Sequence, residues 1–508
     1  MVRISNSTDT PIIIGTETEY GISIKNVLEQ DPVAASTLVV NVYKDSNLKK
    51  ITWDYDQESP FVDARGFMPE GENQQQQPNK EENTIINDVL FNGGRYYVDH
   101  AHPEYCTPEC TNARDVVTYE KAGDLILHLS CIAAEELLPA EQEIIIYKNN
   151  TDYKGHSYGG HENYLMSRQV VFDDITKGMI PFFVTRQIIT GAGKVGSENG
   201  TKPAEFQITQ RADFFETEVG LSTMVARPII NTRDEPHADE KYYRRFHVIV
   251  GDSNMSEFSI YLKVGITAIA LKLIEKGVVG SQFDLVKPVS QNQMVSRDLT
   301  CKKNVLLEDG RRLTPIEIQR SYLDLAHKHL QPHEITSVME DVMTKWEFVL
   351  DQLETDPMSL DQHLDWAIKK RIIDAFIERH SLNWSDSRVR MMDLQYHDIR
   401  PEKGLYARLK KNGRVHQIVD HAEVVRAITN PPTDTRAFFR GSCLQKFSRD
   451  IHSASWNSMV FCTDGSSLDK ILMDRPHFGT KEIVGDLLKN CTASELVEAV
   501  LSSNANKE

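Results

Sequence analysis

The sequence lacks the features that would place a protein in a membrane or outside the cell. Residues 1–7 contain no apolar segment of the kind that a secretory signal peptide needs. The most apolar stretch, residues 264–280, is interrupted by three charged side chains and is too short to span a bilayer. Seven cysteines, an odd number, are scattered along the chain and indicate no disulfide framework. We therefore expect a cytoplasmic protein.

Basic residues are outnumbered by acidic ones, 57 to 74. The formal net charge of −17 disfavours nucleic acids and anionic membranes as main partners, because both attract basic patches. This charge is compatible with a protein as the main partner. The motifs of common hydrolases, P-loop nucleotidases, EF-hands and zinc proteases do not occur. A G-x-G-x-x-G sequence at residues 191–196 precedes loop-forming residues instead of a helix, which favours a turn over a dinucleotide site.

The length of 508 residues exceeds what one hydrophobic core usually serves, so we expect a large domain and a smaller one. The order of strand-like and helix-like segments predicts an α+β fold, with a mainly antiparallel sheet backed by helices. Asn430-Pro-Pro marks a break, giving domains at residues 1–430 and 431–508. A proline-rich and glutamine-rich segment at about 50–84, which includes Trp53 and the glutamine run 74–77, is expected to be a long mobile loop.

Hydrophobic periodicity places the expected secondary structure. Helices are expected at about residues 26–43, 113–138 and 256–276, and a mostly helical stretch is expected at 311–426. The expected strands lie at residues 11–22, 143–147, 206–209, 228–231 and 245–251.

Two strand-like segments carry acidic side chains on one face. Residues two apart on a strand share a face at a spacing of roughly 6.6–7 Å. Glu17 and Glu19 therefore point the same way, and Asp99 shares a face with Arg95 and Tyr97. Apolar residues on the opposite faces suit a core. This pattern predicts a sheet-based site for Mg²⁺ or Mn²⁺, since the donors are oxygens, together with a phosphate-bearing ligand.

Other polar residues admit two interpretations. On a strand, His100 and His102 would share a face that Asp99 does not, and could bind zinc or simply pack and orient the backbone. His161 is either structural or part of the site. Arg233 belongs either to a salt-bridged loop or to a ligand contact.

The combined motifs resemble one protein family, that of the Pup ligase and the Pup deamidase/depupylase, relatives of the glutamine synthetase and glutamate–cysteine ligase fold. The resemblance covers nearly the whole chain and rests on the segments at residues 15–21, 97–105, 161–165, 229–239 and 247–254. Asp99-His-Ala-His-Pro-Glu104, the segment 53–67 and Leu394-Gln-Tyr-His-Asp-Ile-Arg400 favour the deamidase/depupylase branch.

The resemblance implies roles for individual residues. Asp99 would be the catalytic carboxylate. Magnesium would be held by Glu17, Tyr97 and Glu104, with Glu19, His161 and His247 as further ligands. ATP, or ADP with phosphate, would be contacted by Arg95, Thr107 and Trp456. Arg233 would contact a phosphate or a substrate carboxylate.

The resemblance also implies an activity on the small disordered modifier Pup and on pupylated proteins. The expected reactions are deamidation of the C-terminal glutamine of Pup and cleavage of the Pup–lysine isopeptide bond, with Mg-ATP bound and not necessarily consumed. A Pup–protein ligase and a zinc-dependent amidohydrolase are the alternatives. Because Pup is acidic, its groove should be locally basic, with Arg168, Arg186 and Arg245 as candidates. A monomer is favoured.

Overall fold

A computed structural model describes residues 10–43, 51–56, 58–66, 87–463, 465 and 467–505. The glutamine run 74–77 and most of the expected loop lie outside the described residues. No helix in the described part of the chain is long and apolar enough to cross a membrane.

Most of the described strands lie in the first half of the chain. The strands are β1 (Ile14–Glu19), β2 (Gly21–Ile24), β3 (Thr52–Trp53), β4 (Asn87–Val89), β5 (Arg95–Asp99), β6 (His102–Cys106), β7 (Ile144–Tyr147), β8 (Gly160–Ser167), β9 (Lys194–Val195), β10 (Phe206–Gln207), β11 (Phe215–Gly220), β12 (Arg227–Asn231), β13 (Tyr243–Val248), β14 (Val305–Leu306), β15 (Arg312–Leu313), β16 (Ile451–Ala454), β17 (Ser458–Phe461) and β18 (Asp469–Leu472).

The described helices are concentrated in the second half of the chain. They are α1 (Pro32–Val42), α2 (Ala113–Glu135), α3 (Phe172–Thr190), α4 (Glu257–Glu275), α5 (Pro288–Ser296), α6 (Pro315–His329), α7 (Ser337–Thr355), α8 (Asp365–His380), α9 (Ser387–Tyr396), α10 (Leu405–Lys411), α11 (His421–Ala427), α12 (Arg436–Phe447), α13 (Lys481–Asn490) and α14 (Ala493–Ala505).

A six-stranded antiparallel sheet in the order β13-β8-β1-β6-β5-β4 organises the larger part of the chain. Period-two alternation gives each strand two faces. Side chains such as Ile14, Tyr164 and Phe246 belong to the core, which also contains residues of α2, α3 and α4. The opposite faces of the same strands carry the polar side chains. The expected α+β fold with a mainly antiparallel sheet backed by helices is confirmed.

Residues near the C-terminus share a second core with an earlier segment. The sheet β18-β17-β16-β3 takes its last strand from Thr52 and Trp53, which pair with Ser453 and Ala454. Trp53 is buried in this core together with side chains of α12 and α14. The expectation that Trp53 begins a loop is therefore wrong, because β16 offers a strand edge that local sequence cannot reveal. The division at residue 430 stays a proposal.

Most expected elements occur, with shifted ends. The helix expected at 26–43 begins only at Pro32, because Asp31 caps it by accepting from the Ala34 amide. The strand expected at 11–22 is divided into β1 and β2. The stretch 311–426 is mostly helical as expected. At residues 191–196, a short strand and glycines with positive φ occur where a dinucleotide site would begin a helix.

Candidate active site

The polar face of the large sheet collects side chains from five neighbouring strands. Strand register sets the neighbours: Glu17 lies opposite both Cys106 and His161, while Glu19 lies opposite Glu104. Glu104 also has a neighbour on the next strand, because Tyr97 of β5 lies opposite it. The structure therefore brings residues that are far apart in sequence onto one surface.

One group of potential cation ligands surrounds Glu17. Its ligand atoms and those of His161 and His247 all lie within 4.8 Å of one another. Glu17 Oε2 is 3.3 Å from His161 Nδ1, and Glu17 Oε1 accepts a 2.7 Å hydrogen bond from Asn163. Arg245 Nη1 lies 3.5 Å from Glu17 Oε1.

The electrostatics of this group keep Glu17 ionised. Burial raises its pKa, but the hydrogen bond with His161 and the nearby His247 and Arg245 side chains outweigh burial and hold the pKa well below its usual range. Burial lowers the pKa of His247 well below its ordinary value, so this ring is neutral at pH 7 and able to bind a cation. In this mixed set the two imidazoles favour zinc or another transition metal, whereas the carboxylate alone also suits magnesium or manganese.

A second group of potential ligands surrounds Glu104. The ligand atoms of Glu19, Asp99 and Glu104 also lie within 4.8 Å of one another. Burial, and then the negative charges of Asp99, Glu19 and Glu17, raise the pKa of Glu104 well above its usual range. Three carboxylates at this distance repel one another unless a cation or a proton intervenes. Their oxygen donors suit magnesium.

Asp99 lies at the end of β5, where the sheet face opens to solvent. Its side chain is 37% exposed, and its Oδ1 is 3.0 Å from Nδ1 of the neighbouring His100. The carboxylate contact raises the pKa of His100 to about 9, so the imidazole is positively charged at neutral pH. A partly exposed carboxylate beside two buried ones combines access for a substrate with access to a bound cation.

An open cleft adjoins Glu17. Its lining includes Thr107 and Trp456, two of the expected nucleotide contacts, with Ile13, Leu165, Pro236 and Pro476 as apolar walls. Concave sites with apolar walls and a few polar groups are typical of small-molecule sites.

The remaining expected nucleotide contacts lie beside this cleft and not in its lining. The Arg95 guanidinium stacks 3.9 Å from the ring centroids of both Tyr97 and Trp53. Tyr97 is thus held by Arg95 next to Glu104. Nε of Arg233 is buried and makes no hydrogen bond to any described residue, and Arg233 pairs with Asp63 in a β-bridge. A buried guanidinium nitrogen without a hydrogen-bond partner is consistent with a residue that binds an anionic ligand.

Two expectations about basic and histidine residues are wrong. His100 and His102 do not share a strand face, because a turn separates β5 from β6 between them. His102 instead lies 3.4 Å from Glu19. Arg186 cannot line a groove, since it is fully buried and forms a bidentate pair with Glu162 at 2.7 and 2.8 Å. Arg168 is engaged by Asp234.

Sequence reasoning missed Asn163 and the residues at the far end of the cleft. Asn163 is two residues from His161, so strand periodicity alone would have placed it on the same face. Glu109 and Arg436 line the cleft and pair with each other at 2.6 Å across more than 300 residues of sequence. No local pattern connects these two side chains.

The fold and the site together define an α+β protein in which an antiparallel sheet presents grouped carboxylate and imidazole side chains beside an open cleft. Residues 12–460 match the sequence profile of the family described as Pup-ligase protein. The chain belongs to the Pup-ligase protein family.

Similar proteins cover almost the whole chain. The depupylase of Acidothermus cellulolyticus is 47% identical over 96% of this chain and 99% of its own length. The Pup deamidase/depupylase of Mycobacterium tuberculosis (strain H37Rv) is 46% identical over 96% of this chain and 98% of its own length.

Two solved structures share the fold. The ligase PafA, in its complex with the prokaryotic ubiquitin-like protein Pup, is 31% identical with a TM-score of 0.78, covering 98% of this chain and 95% of that one. PafA in complex with ADP is 34% identical with a TM-score of 0.73, covering 82% and 92%.

Proposed function

We propose that this protein is a hydrolase that deamidates the C-terminal glutamine of Pup and cleaves the isopeptide bond between Pup and a lysine of a target protein. Both reactions attack a γ-carbonyl that is bonded to nitrogen, so one site serves both. The observation that carries the proposal is the position of Asp99, partly exposed and grouped with Glu19 and Glu104 on the sheet face that also carries the cleft-lining Glu17. The relatives that match nearly the full chain, named for these activities, support it.

Asp99 acts in one of two ways. Its carboxylate attacks the γ-carbonyl carbon and forms an anhydride on the aspartate, which water then hydrolyses, or it accepts a proton from an attacking water. In either route the carbon–nitrogen bond breaks, and the departing amine takes up a proton. Pup and pupylated proteins are the proposed substrates.

The donor set fits a magnesium–nucleotide complex. We assign magnesium to Glu17, Tyr97 and Glu104, with Glu19, His161 and His247 as further ligands. When bound, magnesium would supply the positive charge that stabilises the oxyanion formed on the carbonyl. The acidic sheet face alone would repel that oxyanion.

The nucleotide, ATP or ADP with phosphate, is assigned to the cleft. Arg95, Thr107 and Trp456 are its proposed contacts, and Arg233 is proposed to bind a phosphate or a substrate carboxylate. The ADP complex of the related ligase supports a nucleotide in this fold. We further propose a cytoplasmic location, which the absence of disulfides among the seven cysteines supports.

Mass spectrometry of Pup tests the function directly. Glutamine-ended Pup incubated with the protein, Mg²⁺ and ATP should become glutamate-ended without a matching release of ADP. Asp99→Asn should slow this conversion at least about 100-fold, because the reacting carboxylate is lost. Asp152→Asn, which alters an exposed aspartate that also pairs with a histidine, is the matched control and should retain full activity.

The same incubation decides between the alternatives. A ligase would join glutamate-ended Pup to lysine and release ADP in equal amount, an activity that the likeness to PafA keeps open. A zinc amidohydrolase would recover activity with Zn²⁺ after treatment with EDTA and would not depend on ATP. Failure of the wild-type protein to deamidate Pup with Mg²⁺ and ATP would refute the proposed function.

A further inference from the structure

The turn that follows Asp99, between strands β5 and β6, contains a histidine with a strained backbone. Asp99 and His102 are paired across β5 and β6, so His100 and Ala101 form a two-residue turn. His100 has a φ of +52°. Turns of this kind favour glycine at the first central position, because a side chain there is strained. Such strain concentrates at functional sites, where the surrounding structure holds it in place.

The same turn directs the imidazole back onto the preceding residue. His100 Nδ1 lies 3.0 Å from Asp99 Oδ1. Within the described part of the chain, no other hydrogen bond or ion pair to the Asp99 carboxylate occurs. The His100 side chain is 60% exposed, so burial does not explain its presence there. The contact with Asp99 is therefore its main interaction.

We propose that His100 is a positioning residue for Asp99. It holds one carboxylate oxygen, Oδ1, and so presents Oδ2 to the γ-carbonyl or to the attacking water. The inference rests on the proposed function and adds a second residue to the reaction. Positioning of this kind matters because small displacements of a reacting group lower rates by large factors.

The second histidine of the hairpin has a different environment. His102 stacks on Tyr158 with ring centroids 4.3 Å apart, and its Nδ1 faces Glu19. His102 is thus packed against the site wall, whereas the His100 side chain pairs with no group other than the Asp99 carboxylate among the described residues. The two residues do not form a joint metal site.

Two substitutions separate the side-chain role from the turn. His100→Gly keeps the positive φ without strain and removes the nitrogen donor. His100→Asn places an amide donor near the position of Nδ1, and asparagine tolerates positive φ better than most residues. We expect His100→Gly to lower kcat for Pup deamidation by about 10- to 100-fold with little change in KM, and His100→Asn to recover most of this loss.

His156→Ala is the control, because His156 contacts Asp152 at 2.9 Å on the surface and lies outside the site. Its kcat should equal that of the wild type. The inference is overturned if His100→Gly keeps the wild-type kcat, if glycine and asparagine variants lose activity equally, or if only KM changes.

A measurement without turnover separates this inference from the proposed function. Protein labelled with ¹⁵N-histidine, compared with His100→Gly to assign the signal, should show a proton on Nδ1 of His100, and Asp99→Ala should shift that signal. An unprotonated Nδ1 would refute positioning by His100 even if the protein deamidates Pup. A protonated Nδ1 in a protein that does not deamidate Pup would refute only the proposed function.

Discussion

Glu17 and Glu104 are carboxylic acids on neighbouring strands of one sheet face, yet their protonation differs. Glu17 is surrounded by His161, His247 and Arg245, which hold its pKa well below the ordinary value. Glu104 is buried among other acids, which raise its pKa well above that value. The arrangement places an ionised carboxylate and a protonated carboxyl on adjacent strands of the same face, where binding of a cation would favour release of the Glu104 proton.

Glu104 should lower the stability of the metal-free protein as pH rises. Below its unfolded pKa of 4.5, both folded and unfolded chains carry the proton. At higher pH the unfolded chain ionises while the folded chain keeps the proton, so stability is lost as pH rises. Metal-free Glu104→Gln should therefore melt roughly 1–3 °C above the wild type at pH 7. At pH 4 the two proteins should melt at the same temperature.

Thermal denaturation with and without Mg²⁺ measures this effect. Added Mg²⁺ should stabilise the wild type more than Glu104→Gln, since the variant lacks one anionic ligand. Glu29→Gln, an exposed position, serves as control. A melting difference that does not vary with pH would contradict the explanation.

Pairs of elements, and not single elements, create the cleft. Strand β6 leads to Glu109, and α12 supplies Arg436 and Arg440, whose guanidinium groups pair with the Glu109 carboxylate at 2.6 and 2.5 Å. Burial raises the pKa of Glu109, but the two arginines outweigh it and lower the pKa to about 2. This ion pair joins the large sheet to the segment that carries Trp456.

Glu109→Gln should destabilise the protein at neutral pH, because it leaves two buried arginines without their anion. The depressed pKa of Glu109 contributes about 3 kcal/mol of stability above pH 4.5, which is lost as pH falls toward 2. Denaturation by urea at pH 7 should show this loss, and the difference from the wild type should shrink below pH 4.5.

Asp351→Asn is a matched control, because Asp351 pairs with Arg320 on the exposed surface at 2.8 Å. Exposed ion pairs stabilise proteins by about 1 kcal/mol or less. Equal destabilisation by the two substitutions would contradict the role given to the buried pair.

Residues from both ends of the sequence line the cleft. Ile13 and Thr107 come from the large sheet and the residues beside it, while Arg436, Trp456 and Pro476 come from the last quarter of the sequence. A ligand in this cleft would contact both parts and should stabilise the folded chain as one unit.

Magnesium with ATP or ADP should raise the melting temperature of the wild type. Binding only to the folded state contributes about 2.7 kcal/mol at a ligand concentration of 100 times Kd. Trp456→Leu should reduce the nucleotide-dependent part of this rise, and Glu17→Gln the magnesium-dependent part. Differential scanning fluorimetry of each variant, with and without ligands, checks this. If both variants showed the same rise in melting temperature as the wild type, the proposed nucleotide and magnesium sites would be wrong.

Periodicity of two along the chain determined much of the sheet. It placed Glu17 and Glu19 on one face and Arg95, Tyr97 and Asp99 on one face, because side chains of a strand alternate whatever the fold. Local signals also predicted the helical stretch 311–426. The same rule failed at His100, where a two-residue turn interrupts the strand that the rule assumed.

Only the tertiary structure decided which faces meet. Strand register set Glu19 opposite Glu104, and long-range packing brought Trp53 to β16 and Glu109 to α12. These contacts join residues separated by tens to hundreds of positions, and local preferences carry no information about such pairings. The sequence by itself determined the kinds of side chain available on each strand, whereas the fold determined their distances, their burial and hence their protonation.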